Sequence, residues 1–209
     1  MSPVKRNKQA DKARQTRRRI TRAAHDLFVE HGYGATTLQD VADRAGVAVQ
    51  TIYFTFGNKR SLLKDVVDTS IAGDDQPIAT MDRPWFRDAL AADTAAAALR
   101  RLVQGTGQVI ARAAPIIEML HTATAIDPEI TGLWPQEVDM RFTVQAAAAT
   151  ALMAKPGARA GVSAERAADL LYGMLSPELY LLYVRDRGWT PGQWEQWVYD
   201  TLCSQLCDG

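Results

Sequence analysis

The chain has 209 residues, 47% of them hydrophobic and 23% charged, a composition typical of a globular protein with ample material for a core. No apolar run reaches about 18 residues and no apolar stretch follows the basic N-terminus, so we expect neither a membrane span nor a secretory signal. Two cysteines, Cys203 and Cys207, are too few for a disulfide framework. We expect two reduced thiols, with a redox pair on one face of a helix as the alternative.

The formal net charge is zero because 24 basic residues balance 24 acidic ones, but the two signs are unevenly distributed. Residues 1–60 contain twelve lysines and arginines against five acids, a net charge of +7, which leaves −7 for the remainder. A charge run is usually only a solvated surface. A basic half indicates a polyanion partner only where the same half also contains a motif that binds one.

The first predicted elements are a basic arm and a helix. Residues 1–13 are polar and have no helical period, which predicts a disordered arm that either solubilises the chain or contacts DNA. From Arg14 to His31 apolar residues recur with helical spacing, and Gly32 is the expected end of this helix. The apolar stripe of the helix contains Ile20, Ala24, Leu27 and Phe28.

The stretch from Leu38 to Phe56 has the strongest pattern in the sequence. Its first half has apolar residues with helical spacing, Thr37 and Asp40 are placed to form a capping box, and Gly46 suits a helix end with positive φ. A second helix follows from about Ala48. Two short helices joined by a turn with glycine form the helix-turn-helix arrangement, whose second helix enters the major groove of DNA.

Residues 14–67 resemble the DNA-binding region of the TetR family of bacterial repressors in motif and spacing. The resemblance is carried by Gly32-Tyr33-Gly34-Ala35-Thr36-Thr37, Val41-Ala42, Ala45-Gly46-Val47, Thr51-Ile52-Tyr53-Phe54-Thr55-Phe56, Asn58-Lys59 and Leu62-Leu63. It implies an all-α homodimer of nine or ten helices, with three N-terminal helices for DNA binding and a helical C-terminal domain for ligand binding and dimerisation. Two residues depart from the family's pattern: Ala48 stands where a serine cap is common, and Thr55 where histidine or tyrosine is frequent.

Candidate DNA contacts follow from position on the second helix and from side-chain chemistry. Gln50 can pair with adenine and Val49 can pack on a thymine methyl group, both at the helix end that approaches base edges. Hydroxyl and ammonium groups suit phosphates, as do the amides at a helix start. The predicted DNA-binding residues are Thr37, Val49, Gln50, Thr51, Tyr53, Thr55, Lys59, Arg17 and Arg18. Phe54 fits either the core or the surface.

Beyond Ile71 the sequence predicts a polar connection and then helices only, since no stretch alternates with period two. Helix starts are expected at Asn58, Pro115, Asp127-Pro128, Ser163, Ser176-Pro177 and Thr190-Pro191. Pro135 is expected to interrupt the helix that ends at Ala154. The predicted division is a basic arm at 1–13, a DNA-binding domain at 14–67 and a helical regulatory and dimerisation domain at 68–209.

Large, adaptable side chains in the second half are candidates for an apolar ligand pocket, although core packing is the commoner role of each. The candidates are Trp85, Met119, His121, Trp134, Met140, Phe142 and Tyr172. The last two long helices each have a broad apolar face, which either completes the monomer core or pairs with its copy in a four-helix bundle. The predicted dimer residues are Leu171, Met174, Leu175, Leu179, Leu182, Trp194, Trp197, Val198 and Leu202.

The three histidines lack metal-ligand spacing, and no catalytic triad or phosphate loop stands out, so the sequence predicts no metal, no cofactor and no enzymatic activity. We expect a cytoplasmic, homodimeric transcriptional regulator, a repressor released from a near-palindromic double-stranded DNA operator by a small, largely apolar ligand. One alternative is a DNA-binding regulator without a small-molecule ligand. Another, from a different class, is a helical ligand-binding or enzymatic domain with an incidental basic arm.

Overall fold

The computed structural model describes residues 3–76, 78–134 and 139–208. Within these residues no strand forms, and an isolated antiparallel bridge joins Ala158 and Cys207. The helices are α1 Pro3–Ala35, α2 Leu38–Ala45, α3 Val49–Phe56, α4 Lys59–Ala72, α5 Pro84–Leu90, α6 Ala95–Ile126, α7 Met140–Met153, α8 Ala164–Met174, α9 Pro177–Tyr180 and α10 Pro191–Leu206. Short 3-10 segments lie at Thr80–Asp82 and Pro128–Leu133, and a π-helical segment, Leu181–Asp186, continues α9. The prediction of an all-α fold with nine or ten helices is confirmed.

The helices are grouped in two compact units. The first comprises the residues up to 70 together with 116–134, and the second comprises residues 71–115 and those from 135 onward. The first unit therefore contains α1 to α3, most of α4 and the C-terminal part of α6. The sequence-based division at residue 68 assigned 116–134 to the second domain, because local patterns do not show which helices pack together.

The N-terminal core forms because α1, α2 and α3 each bury one apolar stripe. Ile20 and Phe28 of α1 are fully buried, as are Val41 of α2 and Ile52 of α3. The stripe predicted for the first helix and the two-helix pattern of residues 38–56 are both present. Their burial fixes the two short helices against α1.

Helix α1 begins earlier than the sequence predicts. Residues 3–13, which we expected to be a disordered arm, are helical and continue directly into the predicted helix. At the other end, Gly32 has φ 80° and ψ 163°, which interrupts the helical conformation where the sequence predicts its end. Glycine adopts this backbone conformation at little cost, so the chain can turn here before the last residues of α1.

Side-chain caps define several helix starts. The Thr37 hydroxyl accepts a hydrogen bond from the Asp40 backbone N–H at 3.1 Å, and the Asp40 carboxylate accepts one from the Thr37 backbone N–H at 2.8 Å. The predicted capping box therefore starts α2, and Gly46 ends this helix with φ 63°. The Asn58 and Ser163 side chains cap α4 and α8 with a single bond each, accepting from the backbone N–H groups of Ser61 and Arg166 at 2.9 and 3.1 Å.

Pro115 does not open a new helix, contrary to the expectation from the sequence. It lies inside α6, a helix of 32 residues that continues through the missing N–H group. An 18-residue stretch of α6 has mean hydropathy 1.3, so length and composition alone would let the helix cross a membrane. Leu99, Leu102 and Val103 of α6 are buried in the core of the second unit, which is the packing of a long core helix.

The predicted long helix before Ala154 is shorter than expected. Helix α7 begins at Met140, where the Asp139 side chain accepts from the Phe142 backbone N–H at 2.9 Å. The segment after Asp127 is instead the 3-10 turn Pro128–Leu133. Pro135, the expected interruption, lies outside the described residues.

Two glycines of α6 allow neighbouring side chains to approach its backbone in the second unit. A Cβ added at Gly105 would lie 2.1 Å from Cε3 of Trp85, and one at Gly107 would lie 2.9 Å from Oε1 of Glu195. Since such distances are below van der Waals contact, only glycine leaves room for Trp85 of α5 and Glu195 of α10 as they are placed.

We expect Gly105→Ala to destabilise the chain by about 1–3 kcal/mol, because the new methyl group overlaps the ring of Trp85. The matched control is Gly173→Ala in α8, where an added Cβ meets nothing within 4 Å. That control should be neutral or stabilising by up to about 1 kcal/mol, since alanine favours helix more than glycine does. Urea unfolding of both variants followed by circular dichroism tests the pair. Equal midpoints would show that the Trp85 ring moves aside freely.

Candidate DNA-binding site

An arginine of α1 fixes the turn between α2 and α3. The Arg19 guanidinium donates to the Gly46 carbonyl oxygen at 3.0 Å and also to that of Ala45. Arg44 of α2 adds a second attachment, since one of its nitrogens lies 3.0 and 2.9 Å from the two carboxylate oxygens of Glu30. These contacts hold the helix-turn-helix in a defined orientation on α1.

Helix α3 has one buried face and one exposed face. Ile52 and Phe56 point into the core, whereas Gln50 is exposed, Tyr53 is 54% exposed and Phe54 is 94% exposed. Val49 and Thr51 are partly buried at the start of the helix. An outward face of this composition is able to contact base edges and phosphates.

The start of α3 lacks a side-chain cap. Ala48 occupies the N-cap position with φ −71° and ψ 143°, and its side chain makes no cap hydrogen bond. The departure from the family's serine, identified in the sequence, therefore leaves α3 without a side-chain cap from its N-cap residue. The Thr51 N–H donates to the Ala48 carbonyl oxygen at 2.9 Å, and the positive end of the helix dipole at the earlier N–H groups suits an anion.

Two of the predicted hydroxyl contacts already make hydrogen bonds inside the chain. The Thr37 hydroxyl donates to Asp40 Oδ2 at 2.7 Å as part of the capping box. The Thr55 hydroxyl donates to the Thr51 carbonyl oxygen at 2.7 Å, one turn earlier in α3. Both groups therefore stabilise a helix in this structure. Their hydroxyl protons are already donated, and a phosphate oxygen, which is itself an acceptor, needs a donor.

Two of the predicted basic contacts are directed into the unit rather than outward. The Arg17 guanidinium pairs with Asp65 of α4 and lies 4.5 Å from the centre of the Phe56 ring. The Lys59 ammonium donates to the Tyr33 carbonyl oxygen and lies 4.1 Å from the centre of the Tyr33 ring. Burial lowers the pKa of Lys59. In this arrangement both residues hold α1 and α4 together, whereas Arg18 is exposed.

A polar cluster within the first unit joins Tyr33 and Arg60 to the segment that follows α6. Arg60 Nε donates to Asp127 Oδ2 at 2.7 Å, and a second Arg60 nitrogen donates to Glu129. The Tyr33 hydroxyl donates to the same Asp127 oxygen at 3.3 Å. The hydrogen bond from Arg60 holds the pKa of Asp127 below its usual range, while burial, with the Asp127 charge, raises the pKa of Tyr33 to about 12. Tyr33 is therefore neutral at physiological pH.

The predicted ligand residues are divided between the two units. Met119, His121 and Trp134 belong to the first unit, where Trp134 Nε1 donates to Asp68 at 2.8 Å. Trp85, Met140, Phe142 and Tyr172 belong to the second. Among these four, Phe142 and Tyr172 are in contact, with ring centres 5.5 Å apart. The sequence could not show this division because the chain returns to the first unit at residue 116.

Five of the predicted dimer residues lie in the core of the second unit. Leu171, Leu175, Trp194, Val198 and Leu202 are at most 1% exposed, so they have no surface to offer a second subunit. This part of the prediction is wrong, because the broad apolar faces of α8 and α10 complete the core of the chain itself.

The other four predicted dimer residues keep exposed surface. Met174, Leu179 and Trp197 are partly buried, and Leu182 is 48% exposed. Trp197 belongs to an aromatic cluster in which the ring of Tyr183 lies 4.6 Å from that of Trp189 and 4.7 Å from that of Trp197.

Both cysteines are free thiols. Cys207 is 2% exposed, and burial raises the pKa of its thiol to about 12, so it is neutral at physiological pH. Among residues 3–76, 78–134 and 139–208 no group of three or more histidine, cysteine, aspartate or glutamate side chains is placed to hold a metal ion.

Two residues that the sequence left without an assigned role stand out in the structure. Phe54 is a large apolar side chain left almost wholly in solvent on α3. Gln145 of α7 is 3% exposed, and its Oε1 atom has no hydrogen-bond partner among the described residues. The TIYFTF run could have indicated Phe54, since Ile52 and Phe56 occupy the inner face and leave Phe54 outside. Nothing in the sequence marks Gln145.

A helix-turn-helix held on a longer helix, with an exposed second helix, defines a DNA-binding domain. Residues 20–66 match the family model described as "Bacterial regulatory proteins, tetR family". The regulator TtgR of Pseudomonas putida is 39% identical over 59 residues, which are 28% of this chain and 28% of that protein. The chain thus aligns with little more than a quarter of the length of this relative.

Solved structures share the fold over nearly the whole chain. The SmeT–triclosan complex superposes with a TM-score of 0.69 at 19% identity, over 93% of this chain and 92% of that one. NalD is the secondary repressor of the MexAB-OprM multidrug efflux pump in Pseudomonas aeruginosa. Its structure gives a TM-score of 0.61 at 18% identity, over 94% of this chain and 98% of that one. Residues 20–66 thus match the TetR family model, and the resemblance seen in the sequence is confirmed over these residues.

We expect Ala48→Ser to stabilise the chain by about 1 kcal/mol, because a serine hydroxyl can accept from the uncapped amides of α3. The extended backbone of Ala48 already has the conformation that an N-cap residue adopts. Ala48→Val is the matched control, since it adds side-chain atoms without an acceptor and should not stabilise. Thermal and urea unfolding of the two variants test the expectation. A serine variant no more stable than the valine variant would contradict it.

Proposed function

We propose that the chain is a sequence-specific DNA-binding transcriptional repressor. The observation that carries this proposal is the exposed face of α3, which is held on a domain that matches the TetR family over residues 20–66. A second helix with a buried inner face and a free outer face is the element that enters the major groove. Among the proteins that share the domain or the fold, TtgR is a transcriptional regulator and NalD is a repressor.

The roles of individual side chains in this proposal follow from their surroundings. Gln50 reads adenine through its amide, and Val49 and Phe54 pack on thymine methyl groups. Tyr53, Thr51 and Arg18 contact phosphates, as do the uncapped amides of α3. The remaining candidates, Thr37, Thr55, Lys59 and Arg17, act by stabilising the domain that presents these groups.

Two copies of the chain bind a near-palindromic operator in this proposal. The second unit retains exposed apolar surface at Met174, Leu179, Leu182 and Trp197, which suits a symmetric contact between identical helices. A dimer presents two recognition helices to half-sites about 34 Å apart, or a multiple of that spacing. The role requires no catalysis and is exercised in the cytoplasm.

A small, largely apolar molecule releases the repressor in this proposal. SmeT, which has the same fold, forms a complex with triclosan, and NalD is a repressor of a multidrug efflux pump. In this chain the unpartnered Oε1 of Gln145 is a buried acceptor inside the second unit, where an effector could satisfy it. A ligand of this kind shifts DNA affinity only through its differential affinity for two states, typically by about 1–3 kcal/mol.

Selection from a pool of random DNA tests the operator proposal. We expect the wild type to enrich a near-palindrome, and Gln50→Ala to lose discrimination at an adenine, an effect of about 1–3 kcal/mol for a bidentate contact. Phe54→Ala should weaken operator binding about tenfold without changing the unfolding midpoint, because its side chain is outside the core.

The matched control for Phe54→Ala is Val29→Ala, which shortens another exposed apolar side chain of the same unit, 41% exposed on α1. This control should bind the operator like the wild type. A wild-type chain that enriches no sequence would refute the proposed function.

Release from the selected operator tests the effector proposal, with triclosan as the probe. We expect triclosan to dissociate the wild-type complex and Gln145→Leu to reduce that response about tenfold. The variant should remain folded, because it replaces a buried unsatisfied acceptor by an apolar group of similar size. Gln205→Leu, at an exposed position of α10, is the matched control and should respond normally. Operator binding that saturating triclosan leaves unchanged would argue against an effector of this class.

A further inference from the structure

The N-terminal part of α1 is a helix without a packed face. Each of residues 9–15 is exposed, which covers almost two helical turns, and the first fully buried side chain is Ile20. A helix that is polar on all sides gains nothing from tertiary packing and is marginal on its own. The features of this segment therefore point to a partner outside the chain. We refer to residues 9–22, which comprise this exposed segment and the arginine-rich stretch where α1 joins the core, as the basic extension.

The charge of the basic extension identifies the class of partner. Residues 9–22 contain six basic side chains and the single acid Asp11. Arg14, Arg18 and Arg22 follow one another at intervals of four and therefore lie on one face of the helix. A row of positive charge on one face is favourable against a polyanion.

Three basic side chains of the extension are available to contact a polyanion outside the chain. Arg17 and Arg19 are held by Asp65 and by the carbonyl groups of the turn, so they serve the domain itself. In the described part of the chain, no hydrogen bond or ion pair engages the side chains of Lys12, Arg14 or Arg22. An open surface groove of about 500 Å³ is lined by Asp11, Lys12, Arg14, Gln15 and Arg18.

The helix-turn-helix is attached to α1 at Arg17, which lies over the ring of Phe56 at the end of α3, and at Arg19. Arg19 bonds to Ala45 and Gly46, and α3 begins three residues after Gly46, at Val49. The part of α1 that precedes Arg17 therefore extends beyond the contacts that hold the helix-turn-helix. From residue 3 to residue 16 the helix is about 21 Å long at 1.5 Å per residue. That length corresponds to about six base pairs at 3.4 Å each.

We propose that the basic extension is a second DNA-binding surface, which contacts the phosphate backbone of the duplex flanking each operator half-site, independently of sequence. This inference rests on the proposed function, because it assumes that α3 docks in the major groove. Lys12 and Arg14 are the contacts farthest from the helix-turn-helix among the described side chains. Phosphate contacts of this kind add affinity and salt dependence but no base preference.

The test uses the full chain and two DNA fragments, the selected operator with about 20 flanking base pairs on each side and the same operator trimmed to its half-sites. We expect the wild type to bind the flanked fragment about tenfold more tightly, and Lys12→Gln/Arg14→Gln to abolish this difference. The slope of log K against log salt should fall by about 0.9 for each phosphate that is no longer neutralised. Affinity for the trimmed operator and the selected sequence should not change.

The matched control is Arg166→Gln/Arg187→Gln, which removes two exposed positive charges from the second unit. It should bind both fragments with wild-type affinity and salt slope. If Lys12→Gln/Arg14→Gln also behaves like the wild type on both fragments, the extension makes no DNA contact. If it weakens binding to the trimmed operator equally, the contact lies inside the half-site and the flanking assignment is wrong. A wild type that binds neither fragment would instead overturn the proposed function itself.

Discussion

The attachment of two short helices to α1 is the constraint on which the DNA-binding unit depends. Helices α2 and α3 have eight residues each, too few to be stable in isolation. Their stability comes from the apolar stripes they bury against α1 and from the polar contacts of Arg19 and Arg44. Because Arg19 binds the carbonyl groups at the end of α2, the same contact also sets the direction in which α3 leaves the turn.

The basic residues of the first unit serve two purposes that their sequence positions do not distinguish. Arg17, Lys59 and Arg60 each contact an acid, an aromatic ring or a carbonyl group inside the unit. The side chains of Lys12, Arg14 and Arg22 are exposed to solvent on α1. The positive charge of residues 1–60 is thus partly compensated where it holds helices together and uncompensated where the helix surface is free. Only the second group adds to the field that an approaching polyanion experiences.

The sequence predicted the local features of the fold well because each of them has a local cause. The capping box of Thr37, the left-handed Gly46 and the interruption at Gly32 depend on residues within one turn of the helix they define. The errors concern relations between distant segments. Pro115 resembles a helix start, yet α6 continues through it, and five apolar residues of α8 to α10 that suggested a dimer face are needed for the core of the chain.

For the candidate site, too, the sequence predicted features with a local cause and missed those that depend on distant residues. The exposure of Gln50 and Tyr53 follows from the period of α3, so it could be seen in the sequence. The inward orientation of Arg17 and Lys59 could not, because it depends on Asp65 and Tyr33, each of which lies on a different helix from its partner. The unpartnered oxygen of Gln145 is a property of three-dimensional packing alone.

The exposed face of α3 has a consequence for how proteins of this design diversify. Gln50, Tyr53 and Phe54 take no part in the core, and the N-cap residue Ala48 makes no side-chain hydrogen bond to the start of the helix. Under the proposed function, substitutions at these positions change what the helix recognises at little cost to the folding of the unit that presents it. After gene duplication, a copy can therefore acquire a new target while the supporting contacts of α1 stay as they are. The residues proposed to read DNA can thus change without altering the residues that support them.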